Sequence, residues 1–312
     1  MKIAFLLYPT QGVKVNEDSS FWIMHELSKR GHRVFYFESR HLIWKDGEPQ
    51  AFLRTAKLHA QNGYLPSSLS AKPVPLASLD CIFIRKEPPF NEEYVNSLQL
   101  LSAISKKTFI LNDPVGILAC GEKLCGLTLK NLCPESLVTS ESLLAQKFIH
   151  AMKSRVVLKP LDNKGGAGIV SVFPRNKRLL AILKQSTQDG KRKILIQRFI
   201  PHQEIGDKRI LILNGNIVGA FIRKPSRHDF RANLGLGGSM HASKVSARDR
   251  QIVSALKPLL RKNGLYFAGI DVIDGYLTEV NVTSPSGIPE MKELYGINLE
   301  EKIADFLENK SC

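Results

Sequence analysis

Residues 269–281, Gly-Ile-Asp-Val-Ile-Asp-Gly-Tyr-Leu-Thr-Glu-Val-Asn, combine donor types and spacing that could hold a cation. Asp274-Gly275 between two alternating apolar runs signals a hairpin turn, because both residues tolerate positive φ. Glu279 and Asn281 are two apart on the second strand and share one face. Asp271 joins them if the register sets it opposite. Oxygen donors without Cys or His suit Mg²⁺ rather than zinc or copper. Mg²⁺ held by so few protein groups usually shares its shell with phosphates, which points to nucleotide-dependent phosphoryl chemistry. The plainer alternative is a surface hairpin with ordinary charges.

Other segments could handle the phosphates. Residues 155–173 read as strand, Gly-rich turn and strand, with Gly165, Gly166 and Gly168 letting backbone N–H groups approach an anion. No Gly-Lys-Ser/Thr opens a helix, so this is not a P-loop. Lys159 just precedes the turn, as a point charge for a phosphate. Gln197-Arg-Phe199-Ile200 is an apolar strand whose backbone could hold a base edge, though ordinary sheet core is the first reading of these residues taken alone. Arg209 begins an otherwise apolar strand and Arg223 closes its partner. Each wants an anion, and a surface salt bridge would satisfy either. Residues 224–243, with Arg231, Asn233, Gly237 and Gly238, are long and polar for a loop, as a lid or a disordered link would be. Asp18-Ser19-Ser20 reads first as a helix cap. Arg85 ends a central strand, where open α/β sheets bind ligands.

Elements must bring these residues together. Strands at 2–8, 33–37, 80–85 and 108–111, with a helix from about 18 to Gly31, predict an open α/β domain of parallel type. No GxGxxG follows the first strand. Further on, a helix near 116–130 is expected to carry Glu122 and Lys123. Hairpin strands are expected at 208–213 and 216–223, turning at Asn214-Gly215. Helices follow at 247–262 and 297–308. The expected fold class is α/β (α+β): an N-terminal substrate domain over 1–122 and a two-lobed nucleotide domain over 123–312, its lobes meeting near residue 200.

The chain has 312 residues, 43% of them apolar, enough for two or three domains. No run of about 18 apolar residues predicts a membrane span, and no signal-peptide layout opens the chain. Cysteines 81, 120, 125, 133 and 312 are odd in number and form no CxxC, so they read as small reduced residues of a cytoplasmic protein. The net charge of +15 suits anionic small substrates, nucleic acid or a membrane surface. No RNA-recognition, zinc-finger or zipper signature accompanies it, so neither nucleic acid nor membrane is expected.

In order along the chain, these segments resemble the ATP-grasp ligases, most closely the bacterial glutathione synthetases. The similarity runs through Asp18-Ser-Ser-Phe21, Arg85-Lys-Glu-Pro-Pro-Phe90, Asn112-x-Pro114, Glu122-Lys-Leu124 and Pro134-Glu-Ser-Leu-Val-Thr139. It continues with Leu158-Lys-Pro-Leu-Asp162, Gly165-Gly166, Gly206-Asp-Lys-Arg209, Arg231-x-Asn-Leu234 and Thr278-Glu-Val-Asn-Val-Thr-Ser-Pro285. The resemblance implies ATP-dependent joining of γ-glutamylcysteine and glycine through an acyl phosphate. It implies Lys123 and Lys159 at the ATP phosphates, with Gly165, Gly166, Arg231, Gly237 and Gly238 also toward ATP. Gln197, Phe199 and Ile200 then face adenine, and Asp207 the ribose. Asp271, Glu279 and Asn281 hold two Mg²⁺, with Mn²⁺ as the alternative ion. Arg209, Arg223 and Asn233 serve the transferred phosphate. Asp18, Ser19, Ser20 and Arg85 match the γ-glutamylcysteine side, and Thr283 and Ser284 the acceptor junction. A homo-oligomer, tetramer or dimer, is also implied.

The chain departs from the family pattern at four places. Pro289 replaces an arginine, Asn163-Lys164 replaces Gly and an apolar residue, Ala232 replaces Gly, and 225–230 differ from the usual lid. The acceptor therefore stays open between glycine and the amine of an amino acid added to a peptide or protein C-terminus. A non-catalytic nucleotide-binding protein that uses its charge on nucleic acid is the third reading.

Overall fold

Lys2–Leu7 (β1) is apolar at nearly every position and buried on both faces, as a central parallel strand must be. A computed structural model of the chain describes all residues except 11, 12, 15, 16, 60–62, 66, 164, 227, 228, 233 and 312. In it β1 pairs in parallel with Arg33–Glu38 (β2) on one side and Cys81–Ile84 (β3) on the other. Phe109–Leu111 (β4) pairs in parallel beyond β3. A short antiparallel strand, Arg54–Thr55, completes this five-stranded sheet. The expected parallel α/β domain is present.

Helix α1 (Ser19–Lys29) starts where the Asp18 side chain accepts from Ser20 N, the expected cap. The next departure from expectation matters for the site. The helix after β4 is short, Pro114–Ala119 (α2), and ends before Glu122 and Lys123. Both lie in a turn at 121–124 that leads into a 3-10 turn, Cys125–Thr128. The cysteine reading is corrected here too: Cys120 and Cys125 form a disulfide across this turn, with Cα atoms 5.1 Å apart. Spacing in sequence missed the pair because the turn, not a CxxC motif, brings it together. Cys81 and Cys133 are buried and take no part in this disulfide.

The middle of the chain forms a four-stranded antiparallel sheet of Ser136–Thr139 (β5), Val156–Pro160 (β6), Val170–Val172 (β7) and Ile194–Arg198 (β8), in the order β5-β8-β6-β7. Two helices that the sequence reading does not place, Ser142–Met152 and Leu179–Ser186, pack on it. Ala145, Ile149, Leu179 and Leu183 meet Val156, Leu158, Ile194 and Ile196 in a core of their own.

A second antiparallel sheet follows: Asp207–Leu213 (β9), Asn216–Lys224 (β10), Ser239–Ala242 (β11), Phe267–Ile273 (β12) and Tyr276–Asn281 (β13). Its order is β11-β10-β9-β12-β13. Both hairpins turn as read. Asn214 and Gly215 have φ of 51° and 73°, Asp274 and Gly275 48° and 72°, the paired positive φ of a tight two-residue turn. Part of the segment expected as a loop is a strand, since β11 pairs with β10. Helix Ala247–Lys262 begins with a capping box of Ser246 and Asp249. Ile288–Tyr295 adds a helix not foreseen, and Leu299–Ser311 closes the chain as expected. No helix among the described residues is long and apolar enough to cross a membrane.

Candidate active site

A cavity of about 400 Å³ lies between the middle sheet and the C-terminal sheet, within the usual range for a small-molecule site. The middle sheet contributes Lys159 from β6, Gln197 and Arg198 from β8, Phe199 and Ile200 just after it, and Gly165 and Gly166 from the turn. The Lys159 ammonium donates to Gln197 Oε1 at 2.8 Å. Burial lowers its pKa, while the Glu279 carboxylate pulls the other way.

Phe230, Arg231 and Ala232 form one edge of this cavity. Arg231 pairs with Asp229 and donates from Nη1 to Gly166 O at 2.9 Å. Gly166 has φ +78°, and a Cβ there would stand 2.9 Å from Arg231 Cδ, so only glycine fits beneath this arginine. Phe230 packs on Phe199, and the Arg155 guanidinium lies over both rings, 4.1 Å from the Phe199 centroid and 5.4 Å from that of Phe230. This cation–aromatic cluster ties the segment to the cavity wall at Phe199. Neither Arg155 nor Phe230 was singled out from sequence; an aromatic in an otherwise polar loop was the available signal. Gly237 and Gly238 do not line the cavity, and Asn233 lies outside the described residues.

The opposite wall carries the charged groups. Asp271 stands across from Glu279 in the β12–β13 ladder, Asn281 across from Gly269, and Arg209 across from Asp271 on the other side. Asp271, Glu279 and Asn281 all line the cavity. Arg209 holds Asp271 with two bonds, Nε to Oδ1 at 2.7 Å and Nη2 to Oδ2 at 3.2 Å. Arg223 Nη2 lies 3.0 Å from Asp271 Oδ1 and 2.7 Å from Asp207 Oδ2. Burial alone would raise the Asp271 pKa, but the two guanidiniums outweigh it and hold the carboxyl well below its usual range. Asp207 goes the other way: burial pushes it up to about 6 against the pull of Arg223. Its Oδ1 is buried without a protein partner.

Among the described residues no three His, Cys, Asp or Glu side chains gather into a metal cluster. The set on this wall is two carboxylates and an amide, with Asn281 Nδ2 3.4 Å from Asp271 Oδ2. Oxygen donors on one face, open to a cavity that also presents lysines and arginines, fit a hard divalent cation that arrives with phosphates.

Lys123 sits outside the main cavity lining but reaches the same wall, its Nζ 3.2 Å from Glu279 Oε1 and bonded to Asn163 O at 2.5 Å. Thr283 and Ser284 line the cavity beyond β13. Of the N-terminal part, Glu87 and Pro88 line it, whereas the candidates Asp18, Ser19, Ser20 and Arg85 do not. Arg85 is only 2% exposed and donates to Ser20 Oγ at 3.0 Å and to Pro285 O at 2.9 Å. Ser19 Oγ accepts from Gly287 N and Ile288 N, both at 3.2 Å, and Asp18 accepts from Tyr64 OH at 2.8 Å. Ser19 directly, and Ser20 through Arg85, bind the first helix to the segment 285–288 that follows β13, while Asp18 caps that helix and holds Tyr64.

Comparison with known proteins agrees with this arrangement. The model of the prokaryotic glutathione synthetase N-terminal domain matches residues 1–117, and that of the prokaryotic glutathione synthetase ATP-grasp domain matches residues 122–296. The chain belongs to the prokaryotic glutathione synthetase family. Within this family it is 37% identical to the glutathione synthetase of Nitrosomonas europaea, over 99% of this chain and 98% of that one. It is 35% identical to that of Synechococcus elongatus, over 99% and 98%. Among solved structures, the D-cycloserine synthetase DcsG superposes with a TM-score of 0.68 at 13% identity, covering 98% and 99% of the two chains, which is a likeness of fold. The family member described here is thus an ATP-dependent ligase of ATP-grasp fold.

Proposed function

We propose that this ligase joins the cysteinyl carboxylate of γ-glutamylcysteine to the amine of glycine, releasing ADP and phosphate. The observation that carries the proposal is one cavity lined by Lys159, Gly165, Gly166, Arg209, Arg223, Asp271, Glu279 and Asn281, in a chain that the family models match over 1–117 and 122–296. The peptide carboxylate attacks the γ-phosphorus and the bond to the bridging oxygen of ADP breaks. The glycine amine then displaces phosphate from the acyl phosphate, losing its proton. No side-chain nucleophile is required. Gln197, Phe199 and Ile200 face the base, and Phe199 is already part of an aromatic stack. Asp207 has a buried oxygen in want of a donor, which a ribose hydroxyl would supply. Lys123 and Lys159 meet the phosphates, and Arg209 and Arg223 carry the charge that develops on the transferred group. Asp271, Glu279 and Asn281 would hold Mg²⁺, two ions by our reading, which neutralises phosphate charge. Asn233 stays assigned from the family pattern alone, as do Gly237 and Gly238.

The N-terminal residues receive a different emphasis. Asp18, Ser19, Ser20 and Arg85 serve the γ-glutamylcysteine side, Ser19 and Arg85 by holding residues 285–288 and Ser20 by holding Arg85. We place the domain boundary at 122/123, supported by family matches that end at 117 and begin at 122. Cytoplasmic residence and a homo-oligomeric state, tetramer or dimer, complete the proposal.

The test is ADP release from Mg²⁺-ATP and γ-glutamylcysteine, with and without glycine, with the product identified by mass. Glycine-dependent release with glutathione formed supports the proposal. Pro289, which opens the helix after Gly287 where the family pattern has arginine, favours one second reading, a different amine acceptor. Turnover only with another amine in a panel would establish it.

A further inference from the structure

Glu122 is not among the residues assigned a role above, yet it lines the cavity and accepts four hydrogen bonds from the chain on either side of Asn281. Its Oε1 accepts three hydrogen bonds, from Val282 N at 2.9 Å, Thr283 N at 3.0 Å and Thr283 Oγ1 at 2.8 Å. Its backbone carbonyl accepts a fourth, from Val280 N at 2.9 Å. These contacts fall on either side of Asn281. The next residue, Lys123, reaches Glu279. Two consecutive residues of one turn therefore grip β13 at 279 and 280 and the chain just beyond it at 282 and 283, and the residue they bracket is the candidate ligand Asn281.

The sequence gives the turn no freedom to drift. The disulfide between Cys120 and Cys125 closes it at both ends. Glu122 is half-buried with its carboxyl against Thr283, and burial raises its pKa, so the carboxylate is held at some cost. Three N–H and O–H donors converging on one oxygen are the compensation. A carboxylate kept in such a place for packing alone would be better replaced by an apolar residue.

We propose that Glu122 is a positioning residue for the catalytic cation and the acceptor junction: it fixes where Asn281 and Thr283 stand in the cavity. The inference rests on the reading of β13 as the metal edge. It differs from a ligand role, because Glu122 acts through the backbone at 282–283. Outer-shell partners of this kind typically change metal affinity by about 10- to 100-fold when removed.

The experiment measures Mn²⁺ binding by the EPR signal of the free ion, with ADP present, in the unmodified protein and in Glu122→Ala, Glu122→Gln and Thr283→Val. Binding of ADP without metal is measured alongside. The amide of Glu122→Gln keeps the accepting oxygen, so affinity within about threefold of the parent is expected, against a loss of about tenfold or more for Glu122→Ala. ADP affinity without metal should stay the same in both. Thr283→Val, which deletes one donor, should lose affinity by an intermediate factor. Unchanged Mn²⁺ affinity in Glu122→Ala overturns the proposal, and so does a loss in Glu122→Gln as large as in Glu122→Ala. If Glu122→Ala does not fold, Thr283→Val decides: parent-like Mn²⁺ affinity overturns the proposal. Failure of the unmodified protein to bind Mn²⁺ with ADP would instead overturn the reading of the metal edge itself.

Discussion

Arg209 makes two bonds to Asp271 and also lines the cavity, so deleting it removes a charge from the reacting centre and a counter-ion from a buried carboxylate. Arg209→Ala should lower kcat by about 10²- to 10³-fold, the usual scale for one electrostatic donor, with KM for ATP changed by less than about threefold. Steady-state rates check this, and equal losses in both constants would argue against a transition-state role. Arg223→Ala should show the same pattern, with a further loss of stability, because Asp207 and Asp271 would both lose a partner. Asp207 gives a prediction in pH. Its folded pKa of about 6 exceeds the ordinary carboxylate value near 4, so between these values the folded state holds more protons than the unfolded state. Its contribution to stability is therefore largest below about pH 4 and falls as pH rises toward about 6. Asp207→Asn removes that dependence. The melting temperature of the variant minus that of the parent should rise across this window, as thermal unfolding at a series of pH values would show.

Several elements were legible because local chemistry dictated them. Asp274-Gly275 and Asn214-Gly215 require positive φ, and period-two spacing places Glu279 and Asn281 on one face whatever the rest of the chain does. Helix Ala247–Lys262 is bounded by a capping box that sequence alone displays. What could not be read depends on tertiary contact. The stretch after α2 is apolar enough to read as helix through residue 130, but its turn is set by the disulfide and by bonds to residues 280–283. The two helices on the middle sheet have short apolar faces without strong caps. The site shows the same division: ligand types and phosphate glycines were visible, whereas burial of Arg85 under Pro285 was not, since it joins residues 200 positions apart. The segment carrying Phe230 and Arg231 combines both. Its glycines and arginine were readable, but not the Phe230–Arg155–Phe199 cluster. Arg155→Ala should loosen that edge, raising KM for ATP several-fold and increasing ADP release without glycine, as water reaches the acyl phosphate. Measuring ADP against glutathione formed would detect this uncoupling.

Charge at the scale of the whole molecule is unevenly distributed. Residues 123–200 contain 15 Lys and Arg against 4 Asp and Glu, a net +11 of the total +15. Exposed Lys147, Lys177, Arg178, Lys184 and Lys191 stand on the outer side of the lobe whose inner side forms one cavity wall. A field of this sign draws a polyanionic nucleotide toward that lobe, and salt screens it. The kcat/KM for ATP should fall as NaCl rises from about 0.05 to 0.5 M, with kcat nearly constant. Charge reversal at Lys177 and Arg178 should flatten that slope. A salt-sensitive affinity for DNA or RNA with no ATP turnover would point to the nucleic-acid reading instead. The pairing of Asp271 with two guanidiniums has a consequence for the order of events. A bare cation approaching this wall meets a carboxylate already neutralised, and gains little by displacing its partners. A triphosphate changes the terms, because it offers Arg209 and Arg223 another anion and so frees the carboxylate. Loading the site is then an exchange of partners rather than two separate arrivals, and initial-rate patterns should treat nucleotide and cation as one reactant.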